Sequence, residues 1–331
     1  MAETTIVTVP IPAGFPDISQ PRYDQTQYLG RVRHFIEVTD PRTLFASDRE
    51  LQRAKALMDG YKRGVVDPLV SVDEYWRAKK LYSATFHPDD GEKVFLPFRM
   101  SCFVPTNMFV LFGMLNSSPT FAGIVFWQWL NQSVNVAVNY ANANKTVPMS
   151  MTETATAYAG AVTASCGVAL GLQRLADKGT LPRRATALIP FAAVAIAGTA
   201  NVFLMRQKEL REGIVVEDDE GVVRGKSPTA GWSAVSQVSV SRVATAAPCL
   251  VVPPLIMARV SGMRMFRHNP RWLAPVQLAV VAGSLMTALP CAIALFPQRA
   301  RVPVTDLEPE FQGLRKANGD PVTHLYYNKG L

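Results

Sequence analysis

Residues 126–144 read FWQWLNQSVNVAVNYANAN and decide how the rest of the chain is interpreted. The stretch has the length and apolar background of a membrane helix, and residues 100–144 contain no Asp, Glu, Lys or Arg. A neutral carboxamide can lie at membrane depth only if its hydrogen bonds are satisfied there. The stretch therefore predicts a membrane helix with an unusual polar face.

Carboxamides recur every three or four residues along this helix, so they share one face. Two interpretations stay open. Amides can hold neighbouring membrane helices together, or they can line a path for a solute that carries both a carboxylate and an ammonium group. The row consists of Gln128, Asn131, Asn135, Asn139 and Asn142, with Gln132 and Ser133 beside it.

Charge is scarce and unevenly placed. Of the 331 residues, 48% are hydrophobic and 18% are charged, against about 25% charged in soluble domains. Residues 1–99 balance their charges, so the net charge of +8 comes from basic segments between apolar runs. That distribution is typical of loops that meet lipid head groups, and it argues against a nucleic-acid partner.

Apolar runs after residue 98 predict an all-α, multi-pass membrane bundle of about five transmembrane helices. The run at 103–115 is too short to cross a bilayer by itself, so it is short or re-entrant or joins the next run, and it is counted with its neighbour as one span. A small helical soluble region (1–98) precedes the bundle (99–298), and a polar tail (299–331) follows it. The other runs cover residues 119–142, 154–175, 185–205, 232–258 and 272–296.

The first 98 residues begin with a Pro-rich arm and continue with two helices. Capping boxes at Ser47–Glu50 and Ser71–Glu74 predict where the helices start. The sequence HPDDGEK at 87–93 then forms a turn. His87, Asp89 and Glu92 have the chemistry to coordinate a cation or relay protons, although a turn held by its own side chains is the commoner outcome.

The run at 232–258 contains a charge, Arg242. A buried arginine in a membrane span is a functional candidate by default, but this one can also snorkel to the head groups. Prolines at 248, 253 and 254, and at 275 and 290 in the last run, are expected to break their helices. Residues 214–223, outside the membrane, read as a small hairpin.

Catalytic and metal-binding signals are missing from the sequence. The four cysteines and four histidines are dispersed, and no phosphate loop, GxSxG, HExxH or paired catalytic carboxylate occurs. We therefore expect no enzyme, no metal and no cofactor. The N-terminus resembles neither a signal peptide nor a transit peptide, so any organelle targeting would use internal signals.

Several blocks in order resemble the sideroflexins, a family of mitochondrial inner-membrane carriers. The resemblance implies five spans and transport of amino acids, typically serine, for one-carbon metabolism; we treat the family's older link to iron as indirect. One departure is Asp90, where the family pattern has Thr, which makes ion coupling through that turn more doubtful. The blocks are TDPRTLF (39–45), WRAK (76–79), HPDDGEK (87–93), FWQWLNQSVNVAVNY (126–140), PFAAVA (190–195), LMRQKEL (204–210) and YNKGL (327–331).

These observations lead to one main hypothesis and one rival. The first is a carrier of a small neutral amino acid in the mitochondrial inner membrane, in which the amides and Arg242 line the path. The rival is a non-transporting membrane scaffold, in which the same amides only hold helices together. The sequence predicts membrane lipid and an amino acid as partners, and it names no protein partner.

Overall fold

A computed structural model describes residues 9–87, 91–142, 150–179, 182–186, 188–316 and 318–330. The fold is mostly helical, as the sequence predicted. The chain divides into two compact units. The described residues of Met1–Asn107 and Val134–Pro148 form the first, and those of Met108–Ser133 and Met149–Leu331 form the second.

The first unit has its own core, in which two capped helices pack together. Both predicted capping boxes are present, with Ser47 and Ser71 each accepting a hydrogen bond from the backbone three residues on. The Pro-rich arm enters this core through Ile18. The elements are β1 (Val9–Pro10), α1 (Tyr28–Val38), α2 (Asp48–Lys62), β2 (Val65–Val66) and α3 (Val72–Thr85), and β1 pairs with β2.

The apolar runs of the sequence form helices α4, α5, α6, α8, α10 and α12, and α7, α9 and α11 are short polar helices between them. In the described part of the chain, three helices are long and apolar enough to cross a membrane: α6, α10, and α12 together with the 3₁₀ turn that begins at Pro270. The 21-residue α5 carries amides that lower its mean hydropathy, and α4 and α8 are shorter. The helices are α4 (Phe103–Asn116), α5 (Phe121–Ala141), α6 (Met151–Asp177), α7 (Arg183–Thr186), α8 (Ile189–Met205), α9 (Gln207–Glu212), α10 (Pro228–Val260), α11 (Arg264–His268) and α12 (Leu273–Ile293).

The expectation that prolines break the last two long helices is wrong. Pro248, Pro253 and Pro254 lie inside a continuous α10, and Pro290 lies inside α12. Pro275 falls in the first turn of α12, where a missing N–H has no intrahelical partner to lose. In a membrane the helix remains the favoured backbone, because freed carbonyls find no water there and must be satisfied locally.

A four-stranded antiparallel sheet completes the second unit, and half of it was not expected. The predicted hairpin is confirmed as β3 (Ile214–Glu217) and β4 (Val223–Ser227). The tail adds β5 (Arg299–Pro303) and β6 (His324–Asn328), which give the strand order β4-β3-β6-β5. Leu325 and Phe311 of the tail pack into one core with Val216 of the hairpin and Ala234 of α10.

Buried Asp218 fixes the hairpin turn. Its carboxylate accepts hydrogen bonds from the backbone N–H groups of Glu220 and Val222, at 3.0 and 2.9 Å. Arg224 donates to the same carboxylate from the other strand, at 2.8 Å. Asp218, within the acidic run at residues 217–220, therefore accepts the hydrogen bonds that hold the turn, and its negative charge is balanced by Arg224.

Candidate functional site

The predicted polar face exists on α5, and its members differ in burial. Gln128, Asn131 and Gln132 are buried, whereas Asn135 and Asn139 are half-buried. Because α5 is a continuous helix, the spacing keeps these side chains on neighbouring turns of one side. The structure thus holds a column of amides inside an apolar helix.

The first half of α5 is bonded to α6 through this face. The Ser165 hydroxyl donates to the Gln128 side-chain oxygen, and the Ser133 and Tyr158 hydroxyls lie 2.8 Å apart. The two bonds join residue 128 to residue 165 and residue 133 to residue 158, so residue numbers rise along α5 where they fall along α6. The two helices therefore run antiparallel. At these two positions the polar residues join helices, which is what the first interpretation of the row expects.

Asn142, the last residue of the row, also makes hydrogen bonds. The Asn142 amide, one residue beyond the end of α5, donates to the carbonyl oxygens of Phe98 and Val138 at 2.8 and 2.7 Å. Phe98 ends a 3₁₀ turn at Leu96–Phe98, just before the chain enters α4. Asn142 therefore ties the end of the amide helix to the entrance of the apolar region within the first unit.

The bond between Gln128 and Ser165 gives a stability prediction. Ser165→Ala should lower the free energy of unfolding by about 1–2 kcal/mol, because it leaves a buried amide oxygen without that donor. Gln128→Leu should remove most of this penalty, so we expect the double variant to show a coupling of about 1 kcal/mol. Chemical unfolding in detergent micelles measures it, and strictly additive effects would contradict the pairing.

The turn at residues 87–93 is only partly described. The His87 side chain is buried, and its backbone N–H donates to the Glu92 carbonyl oxygen at 2.8 Å. The Glu92 side chain faces solvent, and Asp89 lies outside the described residues. Within the described ranges, no group of three His, Cys, Asp or Glu side chains is placed to hold a metal ion.

Arg242 lies in the middle of α10, fourteen residues after its first residue, and its side chain is half-buried. The helix that carries it packs against α8 on one side and against α12 on another, while α8 also packs against α6. Its mid-helix position fits a residue at membrane depth better than one at a helix end. Whether its guanidinium meets a substrate remains a prediction.

Helices α8 and α10, which pack against each other, each contain a buried polar side chain that the sequence patterns did not single out. Asn201 is 1% exposed, and neither its amide nitrogen nor its amide oxygen has a hydrogen-bond partner in the described chain. The buried Ser241 hydroxyl likewise has none among those residues. Periodicity could have placed both on inward faces, but their lack of partners depends on what surrounds them.

Together, these features define a helical membrane protein whose bundle contains buried, uncharged polar side chains. The comparisons identify its family. The family model for sideroflexins matches residues 17–331, and the chain belongs to that family. No solved structure matches the chain.

Three relatives illustrate the similarity. A sideroflexin of Schizosaccharomyces pombe is 45% identical over 320 residues, which cover 94% of this chain and 97% of that protein. A sideroflexin of Dictyostelium discoideum is 41% identical over 315 residues, or 94% and 96% of the two chains. Sideroflexin-1 of Homo sapiens is 41% identical over 315 residues, or 95% and 97%.

Proposed function

We propose that this protein carries a small neutral amino acid, serine above all, across the mitochondrial inner membrane and so supplies one-carbon metabolism. The observation that carries the proposal is the column of uncharged amides on α5, of which Gln128, Asn131 and Gln132 are buried. Membership of the sideroflexins supports it through the function that the resemblance implies.

The chemistry of amides suits a zwitterion. An amide N–H group donates to a carboxylate, and an amide oxygen accepts from an ammonium group or from a serine hydroxyl. Asn135 and Asn139 are half-buried, so they are the members of the column with some access to a passing solute. Arg242 is the proposed partner of the substrate carboxylate, since a cation at membrane depth attracts an anionic group.

Selectivity for serine over alanine would follow from an unpaired amide. A site that hydrogen-bonds the serine hydroxyl discriminates against alanine, because alanine leaves that buried amide without a partner. Glycine and cysteine, which also lack the hydroxyl, should compete less well than serine for the same reason.

Uptake of labelled serine into liposomes that contain the purified protein tests the proposal. We expect saturable uptake, and we expect Asn135→Ala to reduce it by about tenfold, which corresponds to the loss of one well-made amide contact. Asn116→Ala is the matched control, because among the described residues this exposed amide at the end of α4 donates to its own helix, at the Phe112 carbonyl oxygen. Its uptake should equal that of the wild type.

The rival function, a membrane scaffold, is favoured by the bonds that Gln128 and Ser133 make to α6. Under that alternative, Asn135→Ala lowers thermal stability and folded wild-type protein takes up no serine above empty liposomes. The two outcomes are distinct, because only a carrier gives uptake that saturates and depends on Asn135.

A further inference from the structure

We infer that Asn201 of α8 and Ser241 of α10 form a binding site for the charged amino and carboxyl groups of a small zwitterionic amino acid. The inference deepens the proposed function, on which it rests, by adding two residues from helices other than α5.

Asn201 is the clearest sign of a missing ligand. Its side chain is 1% exposed, and both ends of the amide lack a hydrogen-bond partner in the described part of the chain. An amide buried in this way destabilises the fold by several kcal/mol in an apolar setting. A residue this unfavourable is expected to have a partner that binds during the working cycle of the protein.

Ser241 also has a buried hydroxyl without a partner in the described chain, whereas the nearby Ser239 hydroxyl makes a hydrogen bond. The Ser239 hydroxyl donates to the Val235 carbonyl oxygen at 2.9 Å, the usual bond of a serine within a helix. Ser241, two residues further on, is equally buried, and its hydroxyl has no such partner among the described residues. Its hydroxyl is therefore available to a molecule other than its own helix.

The register of α8 and α10 places the two side chains about one helical turn apart along the helix axis. The Phe203 and Trp232 rings lie 5.8 Å apart, and Val202 packs against Val235 and Val238. The helices are thus antiparallel. Asn201 lies one residue before Val202, about 1.5 Å along the axis, and Ser241 lies three residues after Val238, about 4.5 Å in the same direction, so the two positions are within about one turn of each other.

The positive charge of Arg242 completes the set of groups that a zwitterion needs. Arg242 follows Ser241 directly and brings a positive charge that favours a carboxylate nearby. The Asn201 amide oxygen can accept from an ammonium group while its N–H group or the Ser241 hydroxyl donates to the carboxylate. The ammonium group and the carboxylate group of the amino acid then each have a complementary hydrogen-bonding partner.

Size selectivity follows from the apolar neighbours. Ala197, one turn before Asn201 on α8, and Ala234 on α10 are fully buried, so this part of the bundle is already closely packed. Close packing here excludes a branched or aromatic substrate side chain, so only a substrate with a small side chain could be accommodated. The site therefore fits the same substrate class as the proposed function.

Asn201→Leu tests the inference, because a structural role and a binding role predict different serine uptake. If Asn201 is only an unpaired structural residue, leucine, which has the same number and branching of heavy atoms, removes its polar atoms, so the thermal midpoint rises and serine uptake is unchanged. If it binds substrate, the midpoint rises or holds while uptake into liposomes falls by about tenfold or more. Excess serine should also stabilise the wild type and not the variant.

Ser241→Ala and Ser239→Ala form a matched pair on one helix. We expect Ser241→Ala to reduce serine uptake by about threefold to tenfold, the effect of one lost hydrogen bond. Ser239→Ala loses a bond to its own helix and should leave uptake unchanged. If Asn201→Leu does not fold, this pair decides the question by itself.

The outcomes separate the two proposals. Wild-type uptake with no loss in Asn201→Leu, or equal uptake in the two serine variants, overturns the site and leaves the carrier function standing. A folded wild type that neither takes up serine nor is stabilised by it overturns the proposed function, and the site with it.

Discussion

Gly231→Ala is expected to lower the free energy of unfolding by about 2–3 kcal/mol, the effect of forcing one extra carbon into a packed backbone contact. A Cβ atom at this position would lie 2.3 Å from the carbonyl oxygen of Glu209. That oxygen belongs to α9 and accepts a hydrogen bond from the Gly213 N–H group at 3.1 Å. The contact fixes the start of α10 against the segment that leads into the hairpin.

Neither side of this contact can move away easily. Gly213 has φ = +81°, and a Cβ atom there would lie 2.5 Å from the Ser227 backbone. The backbone is therefore also closely packed where α9 leads into the hairpin. Arg206 further holds α9 through its ion pair with Glu209. We therefore expect strain from Gly231→Ala to loosen the connection between α10 and the four-stranded sheet.

The thermal midpoint of the full-length protein in detergent measures this effect, and Gly283→Ala in α12 is the control. No described atom lies within 4 Å of a Cβ built at Gly283. Alanine there should stabilise the protein by about 0.5–1 kcal/mol, because it has a higher helix propensity than glycine. Midpoints that move in the same direction in both variants would contradict the close contact at Gly231.

Local signals in the sequence predicted the helices well, because caps and apolar runs act over short distances. The boxes at Ser47 and Ser71 set the starts of α2 and α3, and the run at 119–142 became α5, Phe121–Ala141. Proline was over-weighted, since its effect on a helix depends on the surrounding solvent as well as on the residue itself.

The tail strands could not be predicted from local patterns. Arg299–Pro303 and His324–Asn328 contain charged and polar residues, and β6 joins the hairpin through a single pairing of Glu217 with Tyr326. The two partners are more than a hundred residues apart in the chain. Only the common core, in which Phe311 and Leu325 meet Val216, explains why a polar-looking tail is ordered.

In the candidate site, too, local patterns predicted some features, and other features depend on tertiary packing. The spacing of amides predicted the polar face of α5, but it left open whether any member is bonded to another helix. The structure shows such bonds at Gln128 and Ser133 and identifies their partners, Ser165 and Tyr158, which lie two turns apart on α6. The unsatisfied amide of Asn201 depends on the packing around it, and no pattern within α8 reports that.

Asp40→Asn is expected to destabilise the first unit by about 2 kcal/mol near neutral pH. The Asp40 carboxylate is buried and accepts hydrogen bonds from Arg42 and, at 2.6 Å, from Lys80 of α3. Removing the charge leaves Lys80 without its counterion. The figure is below the usual effect of breaking a buried ion pair, because the Arg42 side chain is largely exposed.

Hydrogen exchange of the α3 amides measures this loss locally, and a change of about 2 kcal/mol corresponds to about 30-fold faster exchange. Asp73→Asn is the control, because its ion pair with Arg22 lies on the surface. Such pairs contribute about 1 kcal/mol or less, so exchange in this variant should change by less than about sixfold. Equal effects in the two variants would contradict the role of burial at Asp40.

The effect of Asp40 should depend on pH in a defined direction. Burial opposes ionisation of this carboxyl, but hydrogen bonds from Arg42 and Lys80 outweigh it and hold the pKa well below its usual range. A depressed pKa stabilises the fold fully above the unfolded value of about 3.9, and this stabilisation disappears as the pH falls through the folded value. The difference between wild type and Asp40→Asn should therefore be constant from neutral pH down to about pH 5 and shrink below about pH 4. A difference that widened in acid would show that the carboxyl is not held in its charged form by these two partners.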